Sequence, residues 1–314
     1  MKHKLKRLLK YPYLNRIDRG GVYDDKAHLK ACMDWLYNST HGFFMRSHYD
    51  MAGKEWGKPY YEITGYCIPT FMAYYKLIMG EQSYYAQWMG EALLEVQYGD
   101  GTIIEIGDKE PRVFNMAQIM LGWLALYEEL KDDKFLHASV KAADWIVKQQ
   151  DNDGCWRKYV YDTHPMQIRI AWALRELKNI LNTTIYNHPT RLTNYQNAEH
   201  KQIEWFKKQE IKGWEHFNAY ALVGADKLGI KHKKATDTTD NQLTGRAQYA
   251  FLCDEDTIEY LKELQYMGSK FHGALPGSEP LYGKYFCAAI PTWGVKFFAD
   301  ALIKRLGGET RWLG

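Results

Sequence analysis

One pattern constrains this chain more than any other: an amphipathic stretch that ends in glutamine and is followed by a glycine turn recurs along it. The copies are LLEVQYGDG (93–101), WIVKQQDNDGCW (145–156), WFKKQEIKGW (205–214) and, more weakly, LKELQYMGSKFHG (261–273). In KFLHASVKAADWIVKQQ, Phe135, Leu136, Val140, Ala143, Ile146 and Val147 form one apolar stripe, and Lys134, His137, Lys141, Asp144 and Lys148 fill the other side. Such helices keep one face in water.

A second helix type alternates with the first. FNMAQIMLGWLALYEEL (114–130), ITGYCIPTFMAYYKLIM (63–79) and PTWGVKFFADALIKRL (291–306) are apolar nearly all the way round, so they are expected to be buried on both sides. Inner helices of this type are expected to start near Ile63, Phe114, Pro165, Phe217, Thr244 and Pro291, at spacings of roughly 50 residues with one short step before Thr244. The expectation is an all-α toroid of helical hairpins with one hairpin reduced, its missing outer helix replaced by the polar stretch GIKHKKATDTTDNQL (229–243). Strand is expected only in short pieces such as Gly101–Ile106. Links from inner to outer helices are short (Gly80–Gln82, Lys131–Asp133), whereas links from outer to inner helices are long (98–112, 151–164, 268–290). The long loops therefore gather at the end where the inner helices begin, which is where a binding site is expected and where unpaired N–H groups favour an anion.

Composition narrows the partners. Aromatic residues are 15% of the chain, with 11 Trp and 24 Tyr, more than helix packing needs, so some rings are expected to face a ligand. A net charge of +3 without a basic stripe argues against nucleic acid. Five scattered cysteines without a CxxC pair suggest reduced thiols and a cytoplasmic location. No apolar run approaches the roughly 20 residues that cross a bilayer, so integral membrane contact is not expected. The basic segment 1–22, opening MKHKLKRLLKYPYL, reads as a solvated tail or a weak peripheral contact with an anionic membrane, ahead of a single toroid domain over 23–314. No HxxxH metal spacing, GxGxxG, P-loop or GxSxG occurs, so neither a metal nor a cofactor is expected.

The alternating helices resemble the (α/α)6 toroids of carbohydrate-active enzymes, including glucuronyl 5-epimerases, N-acylglucosamine 2-epimerases and unsaturated glucuronyl hydrolases. YYEITGYCIPTFMAYY (60–75) and GALPGSEPLYGKYFCAAIPTWGVKFFADAL (273–302) are similar to stretches of toroid proteins from bacterial capsule, O-antigen and biofilm polysaccharide gene clusters. Terpene cyclases share the toroid and a Gln-to-Trp repeat, but their DDxxD and DxDD signatures are absent. The resemblance implies a saccharide partner and carries no catalytic motif across.

Candidate site residues are the polar and aromatic groups at the inner-helix starts and in the long loops. Glu62, Tyr66, Asp162, His164 and His216 are candidates for moving protons. Tyr61, Arg112, Asn115, Gln118, Trp156, Arg169, Arg246, Tyr285 and Trp293 are candidates for binding, with ring faces on sugars and Arg, Asn or Gln on hydroxyls and a carboxylate. Plainer roles compete: Thr64 and Asn218 as helix caps, and Trp156 and Trp214, at matching places after outer helices, as packing residues. Arginine at a helix start opposes the dipole, so Arg112, Arg169 and Arg246 ask for an anionic partner, either a uronate substrate or a structural carboxylate. The leading expectation is proton abstraction beside a uronate carboxylate (5-epimerase or lyase) in cell-surface polysaccharide metabolism; the alternatives are glycoside hydrolysis by two carboxyl groups and glycan binding without catalysis.

Overall fold

The computed structural model describes residue 14 and residues 17–161, 165–211, 215–231, 242–253 and 255–314. Six helices form an inner ring: α2 (Tyr61–Met79), α4 (Val113–Leu130), α6 (Ile168–Leu181, entered through a 3-10 turn at Pro165–Gln167), α8 (His216–Lys227), α9 (Leu243–Cys253) and α11 (Thr292–Arg305). Each packs on the next, and α11 returns to α2, so the ring closes. Outside lie α1 (Asp25–Asn38), α3 (Tyr84–Glu95), α5 (Asp133–Lys148), α7 (Pro189–Phe206) and α10 (Glu255–Leu264). The outer partner of α11 is α1, from the other end of the chain. The fold is therefore the (α/α)6 toroid. Among the described residues no outer helix separates α8 from α9, which pack directly together; most of the polar stretch expected there falls at 232–241, outside the described residues.

The glutamine–glycine repeat is a staple between neighbouring outer helices. Gln97, just past α3, donates through Nε2 to the carbonyls of Gly101 and of Ala138 on α5, both at 3.0 Å. Gln150, past α5, donates to Gly154 (3.0 Å) and to Ala198 on α7 (2.9 Å). Gln265, past α10, donates to Gly273 (3.0 Å) and to His28 on α1 (3.4 Å), which carries the pattern across the ring closure. The glycines are obligatory for two reasons. They hold φ of 93°, 95° and 85°, and a Cβ would lie 2.4, 2.3 and 1.8 Å from the carbonyl oxygens of Lys141, Lys201 and Ala31 on those same helices.

Strand occurs elsewhere than expected. Gly101–Ile106 has none; instead β1 (Thr40–His41) pairs with β2 (Phe44–Met45), and β3 (His48–Asp50) lies between β4 (Glu55–Trp56) and β5 (Ala289–Pro291). This small antiparallel sheet walls one side of the end where the inner helices begin. The far end is blind. Residues 310–314 fold under the ring: the Gly314 N–H donates to Asp300 Oδ2 (2.9 Å), and its carbonyl accepts from Arg169 Nη2 (2.8 Å). Lys296 and Asp300 pair at 2.6 Å with no solvent exposure, and Thr70 donates to Asp300 (2.7 Å). Among the described residues the toroid is a cup, closed at this end and open where the long loops gather.

Candidate active site

The cup holds a cavity of about 750 Å³, a size typical of small-molecule sites. A smaller one of about 170 Å³ lies at the opposite end, beside Lys76 and Lys131. Aromatic groups dominate the large cavity: Trp56 from β4, Tyr60 and Tyr66 from the start of α2, Tyr161, Phe217 and Tyr220 from α8, and Tyr285, Phe286 and Trp293 before and on α11. The polar lining includes Glu62, His216, Asp50 and His48.

The helix starts explain why polar groups face inward here. Outer helices α1, α3 and α5 are capped by their own Asp24, Ser83 and Asp132, whereas α2, α4, α6, α8 and α11 have no side-chain cap of their own. Their first N–H groups need acceptors from elsewhere. For α2 the acceptor is Glu105, from the loop before α4: its carboxylate takes the N–H groups of Tyr61 (2.7 Å) and Glu62 (2.8 Å) and the Nδ2 of Asn115 (3.0 Å). Burial pushes Glu105 up to about 7 against these three donors. Thr64 does not cap; it donates to the Tyr60 carbonyl and accepts from Met45, tying β2 to α2.

Glu62 has its carboxyl open to the cavity. Burial first and the neighbouring Glu105 second push it up to about 8, with Arg169 opposing, so near neutral pH it is mostly the acid form. His216 is the reverse case: burial drives it down to about 3 and keeps the imidazole neutral. Its Nδ1 lies 2.9 Å from Gln248 Oε1, which places the proton on Nδ1 and leaves the Nε2 lone pair free. The ring is stacked on Trp293 at 17° and packed on Tyr220 at 4.4 Å. Burial raises Tyr66 and Tyr220 well above the ordinary phenol value, so both remain protonated. Tyr285 accepts from Trp293 Nε1 (2.7 Å).

Of the expected site residues, Glu62, Tyr66, His216, Tyr285 and Trp293 line the cavity, and Asp162 and His164 lie outside the described residues. The others are placed differently. Trp156 is fully buried with its Nε1 on the Ile146 carbonyl (3.0 Å), a packing role, and Trp214 lies outside the described residues. The Tyr61 ring packs on Phe44. Asn115 serves Glu105 and the Tyr161 hydroxyl (3.0 Å each), and Gln118 accepts from Arg169 Nε (2.7 Å).

None of the three arginines reaches the cavity lining. Arg112 donates to the Val160 carbonyl (2.8 Å), approaches Asp108 (3.6 Å) and covers the Tyr161 ring (4.8 Å). Arg169 is buried on the axis between the Trp172 and Tyr220 rings, both at 5.0 Å, and burial lowers it to about 10, still a cation at neutral pH. Arg246 lies over the Tyr260 ring at 5.4 Å. Aromatic faces, carbonyl oxygens and, for Arg112, the Asp108 carboxylate answer the charges of Arg112 and Arg169, so Arg112 has the structural carboxylate that was the alternative to a uronate substrate. Sequence reasoning did not single out Asp50, His48, Trp56, Tyr161, Phe217 or Phe286. The loop residues around Tyr161 gave no periodic signal, and neither did two- and three-residue strands.

No family model and no curated protein matches the chain. Solved structures do match it. One described as "a novel alpha-amylase from Clostridium perfringens" superposes with a TM-score of 0.60 at 11% identity, over 90% of this chain and 98% of that one. An "unsaturated glucuronyl hydrolase specific for heparin" superposes with a TM-score of 0.59, again at 11% identity, over 90% of this chain and 95% of the other. At that identity the likeness is one of fold.

Proposed function

We propose that this protein is a glycoside hydrolase that cleaves a saccharide in the mouth of the cup, with Glu62 as the proton donor. The observation that carries the reading is a carboxyl group held in its acid form up to about pH 8 and open to an aromatic-walled cavity. Protonating the leaving oxygen requires that form at neutral pH. Of the two further carboxyl groups in the lining, Asp50 and Glu55, we assign the second role to Asp50, which is held in place by the N–H groups of Ala52 and Gly53 (2.9 Å each). In the reaction the bond from the anomeric carbon to the leaving oxygen breaks and Glu62 gives that oxygen its proton. Water adds at the anomeric carbon and passes a proton to the Asp50 carboxylate. The ring faces of Trp56, Tyr285 and Trp293 bind the sugar. The names of the two similar structures, both of enzymes that act on saccharides, support the substrate class.

Epimerase or lyase chemistry is the second reading. It needs a base and a cation for the uronate carboxylate, and the neutral His216 and Lys58 line the cavity, although Tyr66 is held protonated and no arginine lines it among the described residues. Incubation with malto-oligosaccharides, xylo-oligosaccharides and unsaturated heparin disaccharides separates the readings. New reducing ends that disappear in Glu62→Gln are expected. Turnover that survives in Glu62→Gln removes the reading; a new ultraviolet chromophore indicates a lyase, and binding without turnover a non-catalytic glycan-binding protein.

A further inference from the structure

Tyr161 is 45% exposed and lines the cavity, yet it is among the most firmly held side chains at the mouth. Its hydroxyl hydrogen-bonds to the Tyr60 hydroxyl across the α2 start and accepts from Asn115 Nδ2 (3.0 Å). One face of its ring lies under the Arg112 guanidinium, 4.8 Å from the ring centre. The two residues before it are pinned to the start of α4: the Tyr159 carbonyl accepts the Val113 N–H (2.9 Å), and the Val160 carbonyl accepts Arg112 Nη1 (2.8 Å). Tyr159 takes a left-handed φ of 57°, a conformation a bulky residue adopts only when its surroundings hold it there. A single exposed aromatic needs no explanation. An exposed aromatic fixed at its hydroxyl, at one face and through its preceding backbone does, because each of those restraints costs conformational entropy that burial of the ring does not return.

What such a ring offers is a flat apolar face whose ordering cost was met on folding, so a ligand that lies against it loses little more. We propose that Tyr161 is the stacking platform for one sugar ring of the bound saccharide and that Arg112 is its positioning residue, which holds the ring flat against the cavity wall. The proposal rests on the saccharide reading above. It assigns Arg112 a part in binding without contact to ligand, and it predicts no preference for acidic over neutral sugars from this arginine, since its charge is already placed on Tyr161, Val160 and Asp108.

The test is calorimetric titration of the three saccharide sets above into the full chain, in the Glu62→Gln background so that nothing is consumed, paired with kcat and KM in the wild-type background. Tyr161→Ala and Tyr161→Leu are expected to weaken binding about tenfold or more and to raise KM alike, with kcat within about twofold. Tyr161→Phe and Tyr161→Trp, which keep a face, stay within about threefold, and Arg112→Ala falls between, with an equal relative loss for neutral and acidic sugars. Unchanged affinity in Tyr161→Ala overturns the proposal, as does a Phe variant as weak as the Ala variant, since the hydroxyl and not the face would then matter. Should Tyr161→Ala fail to fold, the comparison of Leu with Trp decides the same point. Turnover that survives Glu62→Gln sinks the hydrolase mechanism and leaves the platform standing; a wild-type chain that binds none of the saccharides sinks both.

Discussion

Glu62 is expected to weaken the fold it belongs to, and the size of that effect follows from its surroundings. The group is pushed from 4.5 up to about 8, by burial first and by Glu105 second. A carboxyl whose folded pKa lies above its unfolded value favours folding fully only below about 4.5, and that stability is lost as pH rises toward 8. At about 1.4 kcal/mol per unit, keeping the site ionisable costs about 1 kcal/mol at pH 5 and about 4 kcal/mol at pH 8. Among the described residues no hydrogen bond holds the carboxyl, so Glu62→Gln, nearly isosteric and neutral, forfeits little. Urea unfolding of both proteins at pH 5 and pH 8 should show Glu62→Gln more stable, by a margin about 3 kcal/mol larger at the higher pH. A margin independent of pH, or a variant less stable at pH 8, would refute the argument that this carboxyl is buried in its acid form.

Other consequences can be measured with the same material. Hydrolysis should fall as pH rises past about 8, where Glu62 loses its proton; an alkaline limb near pH 5 would mean an ionised Glu62 and a different acid. Gly154→Ala should cost about 3 kcal/mol in urea, because the new Cβ meets the Lys201 carbonyl at 2.3 Å as well as an unfavourable φ, whereas Gly80→Ala, with φ 68° and open space, should cost about 1 kcal/mol. His28 accepts the Tyr23 N–H at Nε2 and is held below its ordinary pKa, first by burial, so its share of stability should be lost as pH falls below about 6.5; His28→Gln should flatten that slope in acid melts.

The fold was legible because its determinants are periodic. The Gln-to-Gly spacing survives in the sequence because a side-chain amide and a left-handed glycine must meet the same neighbouring helix at Gln97, Gln150 and Gln265. The inner helices are apolar all round because both sides pack, as the zero exposure of Met116, Ile119, Met120 and Trp123 on α4 attests. The site was legible only in part. Glu62, Tyr66, His216 and Trp293, singled out at helix starts, and Tyr285, singled out in a long loop, line the cavity, whereas Trp56 and Asp50 arrive there on strands too short to leave a pattern. The arginines misled for an identifiable reason. The dipole argument counts charges within one helix, while Arg112 and Arg169 find rings and carbonyls up to 145 residues away in the chain, and Arg112 also finds Asp108 in the loop just before its helix.

Those arginines bear on the chemistry all the same, through Glu62. Three influences set its acidity: burial and Glu105 raise it, and Arg169 lowers it. Arg169 is held on the axis by Gln118 and by the Gly314 carbonyl, so the segment that closes the blind end also fixes the one cation that tempers the acid at the open end. Glu105 is anchored by the first two N–H groups of α2, the helix that carries Glu62 itself. A helix that capped its own start would leave Glu105 without that anchor and Glu62 without its nearest negative neighbour. The uncapped inner helices are thus more than open ends awaiting an anion: at α2 the missing cap is what brings two carboxyl groups together, and Glu105 adds to burial in keeping Glu62 protonated.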